Sequence, residues 1–244
     1  MKNLLFSLIS LIFTTFSFCQ NKQNKENTET VIKNIVAKNQ ITLTNLALFK
    51  GHTDEMSGAS SFLINYRNKI FAVTAKHVLG EATGVEPEIK AKELNKFLYS
   101  WKMFPRVPIN PKFDTIKIGA GKLNYDDLDK DILLLEVTNT KFNILALKPN
   151  FHLPTKGDKL YIIGCPYSQQ KCKQNIYEIF YDSFDKEMSM LNFIIKCKFE
   201  LSGFSGAPIV DKEGNVVCVL TSGWKEGKIK FVGGTFIKEI EKVK

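Results

Sequence analysis

From residue 41 onward the chain is written in short alternating or apolar runs, separated by Gly, Asn, Asp and Pro. Period-two alternation puts successive side chains on opposite faces, so each run reads as a strand. The first group of runs is 41–49, 60–66, 69–74, 97–103, 114–119 and 131–137. The second is 158–163, 176–182, 188–197, 207–210, 215–222 and 229–235. β-branched and aromatic residues fill both groups. Asn68 and the Asp211–Gly214 segment read as hairpin turns. Helical patterning is scarce, confined to 85–96 and a short amphipathic stretch at 236–243. The two groups part near 140–157, which predicts an all-β protein of two barrels or two sandwiches. An apolar fraction of 44% and a charged fraction of 24% exclude a disordered chain, a collagen and a disulfide-dense miniprotein.

The N-terminus reads as an address. Lys2 precedes an apolar run from Leu4 to Phe18, and Ser17 and Cys19 stand three and one residues before a cut at Gln20. That is the layout of a secretory signal peptide. The run falls short of the ~20 residues that a spanning helix needs, and no later segment is long and apolar enough to span. Two alternatives stay open: an uncleaved anchor, and a lipid anchor on Cys19, against which the bulky Phe18 counts. Residues 20–40 begin polar and without an apolar period, and read as a flexible tether. The expected division is therefore 1–19 signal, 20–40 tether, 41–145 first β unit, and 146–244 second β unit with a C-terminal helix. The expected location is secreted or periplasmic.

Export would leave Cys165, Cys172, Cys197 and Cys218, for which disulfides and buried thiols are both open. Zinc is disfavoured, because there is no C-x-x-C pair and the chain has three His. No metal or cofactor is implied. The net charge of +9 is spread along the chain and reads as a Lys-rich solvated surface. Nucleic acid is not an expected partner.

Three segments carry chemistry. Thr74-Ala75-Lys76-His77 ends an apolar strand, which puts His77 at a rim where it can face a cleft. Asp131 opens the apolar run Ile132-Leu133-Leu134-Leu135, and a carboxylate there needs hydrogen bonds or a partner. Gly203-Phe204-Ser205-Gly206 is a turn that can present a hydroxyl and aim backbone N–H groups at one point. Each alone has an ordinary structural explanation. Together they supply a nucleophile, a base and an orienting carboxylate. His77 and Asp131 fall in the first β unit and Ser205 in the second, so the site would lie between them. His52 and His152 have no partner motif and read as surface residues.

On these residues the chain resembles the chymotrypsin-like (trypsin-like) serine peptidases, closest to bacterial secreted and periplasmic members. The similarity runs over about residues 41–240. Gly58-Ala59-Ser60-Ser61-Phe62 is similar to the family's Gly-x-Gly-Phe strand, with Ser60 where a second Gly is common. Thr74–His77, Asp131–Leu135, Gly157-Asp158 with Ile163-Gly164-Cys165-Pro166, and Gly203–Pro208 match further motifs. The resemblance implies two six-stranded antiparallel barrels and endopeptidase action on a peptide or protein. It implies Ser205 as nucleophile, His77 as base, Asp131 as orienter, and an oxyanion hole of the Gly203 and Ser205 N–H groups. It makes Thr221, Ser222 and Gly223 the substrate-pairing strand. By offset, Phe199 and Glu200 fall at the pocket floor, with Gly233 and Gly234 facing them. Phe204 stands where an Asp pairs with a new N-terminus in digestive members, so activation by that route is not expected. About nine residues follow Thr235, which leaves no room for a C-terminal peptide-binding domain. The rival reading is a catalytically silent binding or scaffold module of the same fold.

Overall fold

A computed structural model describes residues 29–51, 55–107, 115–118, 130–138, 141–196 and 200–243. The expected runs become strands at nearly their expected positions. In the first half these are β1 (Leu43–Phe49), β2 (Met56–Tyr66), β3 (Lys69–Thr74), β4 (Leu98–Phe104), β5 (Ile116–Ile118), β6 (Leu133–Glu136) and β7 (Ala146–Leu147). In the second they are β8 (Lys159–Gly164), β9 (Asn175–Asp185), β10 (Met190–Ile195), β11 (Pro208–Val210), β12 (Val216–Glu226) and β13 (Ile229–Phe236).

The second half closes into a six-stranded barrel in the order β10-β13-β12-β11-β8-β9, every pair antiparallel. Its interior holds Leu191, Phe193, Ile162, Ile209 and Cys218, all fully buried. The first half forms its own sheet, as expected. It is a curled half-barrel in the order β5-β4-β1-β2-β3-β6. Among the described residues its edges meet through an Ile118–Val137 bridge and through Thr138, whose N–H and Oγ1 donate to Lys117 O at 2.9 and 3.1 Å. The two-residue β7 adds a parallel pairing to β2, so this sheet reaches past the expected boundary at 145. Burial of Asn45 under this sheet is compensated: its amide donates to Gly58 O and accepts from the buried Trp101 indole N–H, each at 3.2 Å.

Helical expectations change more. Helix α1 (Glu29–Lys38) occupies part of the stretch read as tether. Five of its ten residues are apolar, and of these Ile32 is fully buried and Ile35 packs beside it. The Gln174 amide fixes its end, donating to Val36 O at 2.8 Å and accepting from the Ile41 N–H at 2.9 Å. That anchor lies far along the chain, which is why local patterning misses the helix. The helix expected at 85–96 shrinks to a 3₁₀ turn at Ala91–Glu93 running into α2 (Leu94–Phe97). Pro87, which lacks an N–H, stands inside the expected span. The C-terminal segment Ile237–Lys242 is 3₁₀ rather than α.

If α1 is docked rather than tethered, Ile32→Ala creates a cavity and lowers stability by about 2–4 kcal/mol. Urea unfolding followed by circular dichroism reads this, and an unchanged midpoint would show that α1 contributes nothing.

Candidate active site

His77 lies in a 3₁₀ turn (Lys76–Leu79) that leaves β3 through Ala75. Burial of Val78 and Leu79 anchors the turn. Asp131 precedes β6, held in place by the fully buried Ile132. Its carboxylate receives two bonds from one residue. The His77 backbone N–H donates to Oδ1 at 2.9 Å, and the ring Nδ1 lies 2.6 Å from Oδ2. An ionised carboxylate only accepts, so the ring Nδ1–H donates to Oδ2, and the pair makes no use of Nε2. The pair is about one-third exposed, at 32% on each side chain. Across the junction, Thr235 Oγ1 of β13 donates to Asp131 O at 3.1 Å, tying the acid to the second barrel.

The Ser205 turn joins the same junction from the other side. The Ser60 N–H donates to Ser205 O at 2.6 Å and Ser60 Oγ to Gly203 O at 2.7 Å. Thr74 Oγ1, at the end of the His77 strand, donates to Ser60 O at 2.7 Å. Gly206, at φ +85°, packs so closely that a Cβ there would collide with Ser60 O and Thr74 Oγ1. The turn closes through a Phe204 N–H to Leu201 O bond and a Gly206 N–H to Leu220 O bond. The Gly203 and Ser205 N–H groups have no acceptor among the described residues. Phe204 is fully buried, edge-on to Tyr177 at 5.3 Å and directly over Gly164. It serves as an apolar peg inside the second barrel.

Thr221, Ser222 and Gly223 lie on β12, with β13 on one side. β11 pairs with β12 up to Val219, and Gly206 and Ala207 still bond Leu220, so among the described residues the other edge is open from Thr221 on. The pocket expected at Phe199 and Glu200 reads differently. Glu200 is exposed, and Phe199 lies outside the described residues. Leu201 covers Gly223, and Ser222 Oγ and Met190 Sδ cover Gly233. Gly234 packs on Cys218 Cβ.

Cys165 and Cys172 form a disulfide, whereas Cys218 is a buried thiol whose pKa burial pushes well up. Cys19, Cys197 and His52 fall outside the described residues, and His152 is exposed. Among the described residues, no group of three His, Cys, Asp or Glu could hold a metal, and no helix is long and apolar enough to cross a membrane. Ser60, Tyr167 and Thr235 were not expected in the site. Ser60 had a signal, because a polar side chain stands there in place of a glycine.

The sequence profile of the trypsin-like peptidase domain matches residues 59–219. Among curated proteins, none is significantly similar to the chain. Among solved structures, the active form of the Rv3671c protease from M. tuberculosis aligns with TM-score 0.54 at 13% identity, over 91% of each chain. The thermostable serine protease AL20, from an extremophilic microorganism, gives 0.55 at 14%, over 82% of this chain and 92% of the other. The serine endoprotease from Yersinia pestis gives 0.52 at 14%, over 86% of this chain and 63% of the other. At such identities the likeness shows the fold.

Ser60→Ala should lower stability by about 1–3 kcal/mol, because it leaves the buried Gly203 O without its donor. Chemical denaturation measures this, and a wild-type midpoint would mean that the bond across the junction is dispensable.

Proposed function

The chain belongs to the family of trypsin-like peptidases, and on that premise we propose that it is an exported serine endopeptidase working through Ser205, His77 and Asp131. Ser205 Oγ attacks the carbonyl carbon of the scissile peptide bond. His77 Nε2 takes the hydroxyl proton and then passes it to the leaving amine. Asp131 holds the Nδ1–H tautomer and stabilises the imidazolium. The developing oxyanion takes hydrogen bonds from the Gly203 and Ser205 N–H groups. Water, activated in turn by His77, then hydrolyses the acyl-enzyme and regenerates the Ser205 hydroxyl.

The observation that carries this reading is the double hold of Asp131 on His77, through the ring at 2.6 Å and the backbone at 2.9 Å. A carboxylate placed only to open a strand has no reason to grip both the backbone N–H and the ring Nδ1 of one histidine. The edge of β12 beyond Leu220, open among the described residues, suits an extended peptide added as a further strand along Thr221–Gly223. Export rests on Lys2 and the apolar run after it, and the Cys165–Cys172 disulfide is in keeping with an oxidising compartment.

Treatment with a fluorophosphonate followed by intact-mass measurement tests the nucleophile. The expected result is one adduct on the wild-type chain and none on a folded Ser205→Ala variant. Absence of any adduct on a folded wild-type chain would leave a silent module of the same fold. Asp131→Asn should fold yet cleave a peptide library on the order of 10⁴-fold more slowly, and near-normal turnover would remove Asp131 from its role.

A further inference from the structure

Tyr167 has no place in the mechanism above, yet it grips the start of the oxyanion turn, at Ser202 and Gly203. It stands in the β8–β9 loop, between Cys165 and Cys172, whose disulfide closes that loop. Its backbone N–H donates to Ser202 O at 3.0 Å. Its ring lies flush on Gly203, where a Cβ would sit 2.9 Å from Cδ1. Its hydroxyl accepts the Ala59 N–H at 2.5 Å, at the start of β2. The Arg106 guanidinium lies 5.3 Å from the ring centre, and its Nη1 donates to Pro166 O at 2.7 Å.

These contacts bear on one peptide. The Ser202 carbonyl and the Gly203 N–H belong to the same planar trans unit, so they point in opposite directions. Fixing the carbonyl toward the Tyr167 loop therefore directs the Gly203 N–H away from it. Gly203 sits at φ +96° and has no side chain to resist rotation. A flip of the 202–203 peptide would replace a donor with a carbonyl oxygen and repel the oxyanion it should stabilise.

We propose that Tyr167 is a positioning residue for the reaction: it locks the 202–203 peptide so that the Gly203 N–H stays available to the oxyanion. The lock acts from three sides. The backbone N–H holds the carbonyl, the ring blocks the space a rotated peptide would sweep, and the hydroxyl moors the ring to the first sheet. The disulfide and Arg106 keep the loop from lifting. This inference rests on Ser205 being the nucleophile and Gly203 an oxyanion donor.

The test is the kinetics of fluorophosphonate inactivation, which need no known substrate. The phosphoryl oxygen gains charge in that step as an acyl oxygen does, so the rate reports on the hole. Tyr167→Ala should lower the maximal inactivation rate kinact by about 10- to 100-fold, since a missing oxyanion donor costs about 10²–10³. The half-saturating concentration KI should stay within about twofold, and the pH profile should keep its wild-type midpoint, because His77 and Asp131 are untouched. Tyr167→Phe, which keeps the ring and the backbone N–H, should restore most of the rate. Cys165→Ser with Cys172→Ser should fall between the two. If Tyr167→Ala does not fold, Tyr167→Leu, which is closer in volume, carries the decision on the same readouts. A wild-type kinact in the folded variant overturns the proposal, as does a loss that appears in KI or shifts the pH midpoint. Failure of the wild-type chain to react at all would instead refute the nucleophile assignment, and this proposal with it.

Discussion

Ser60 is the point on which the junction between the two β units depends. It is 6% exposed, and all three of its polar groups are engaged across or along that junction. Its N–H holds Ser205, its hydroxyl holds Gly203, and its carbonyl receives the Thr74 hydroxyl from the strand leading to His77. A net intramolecular hydrogen bond is worth only about 1 kcal/mol, but leaving a buried partner unmatched costs about 1–3 kcal/mol. The set therefore behaves as a unit, because loss of Ser60 orphans groups on both sides. Directional bonds also do what apolar contact cannot, fixing the turn that carries Ser205 in angle as well as distance. The Thr235 to Asp131 bond and the close approach of Gly206 repeat the same logic nearby.

Phe204 shows how the turn is held from behind. Resemblance alone framed this residue as the loss of an ion pair. In the structure its ring fills the second barrel, over Gly164 and edge-on to Tyr177, while the next residue, Ser205, is partly exposed. One residue drives the turn into the core and its neighbour is thereby presented outward. Burial of a Phe side chain stabilises by about 1.5–3 kcal/mol, ample to anchor a short glycine-flanked turn without any charge.

What the sequence made legible follows the range of the forces involved. Strand alternation is local, and nearly every strand was found within a few residues of its place. His77, Asp131 and Ser205 were legible because each sits in a local motif, although 54 residues separate the first two. The contacts that assemble the junction have no local trace. Ser60 reaches Gly203 across 143 positions, and Tyr167 reaches Ala59 across 108. Helix α1 hid for the same reason, since its docking depends on Ile32 burial and on Gln174, and its flanking residues are polar. The curl of the first sheet was equally invisible, because it brings Ile118 of β5 to Val137, just past β6, across 19 positions.

Gly203 brings these strands of argument to one residue. The Tyr167 ring occupies the space of a side chain there, so glycine is required. Glycine in turn removes the steric restraint that keeps a peptide from rotating. The structure restores that restraint from outside. The carbonyl before Gly203 is held by the Tyr167 N–H, and the carbonyl after it by the Ser60 hydroxyl. Both peptides flanking the most mobile kind of residue are thus pinned, one from the disulfide-closed loop of the second barrel and one from the first sheet. An oxyanion donor must be aimed before the charge appears, because reorientation during the reaction would cost what the donor supplies. In the proposed mechanism, convergence of two separate elements on Gly203 is how a glycine-rich turn meets that demand.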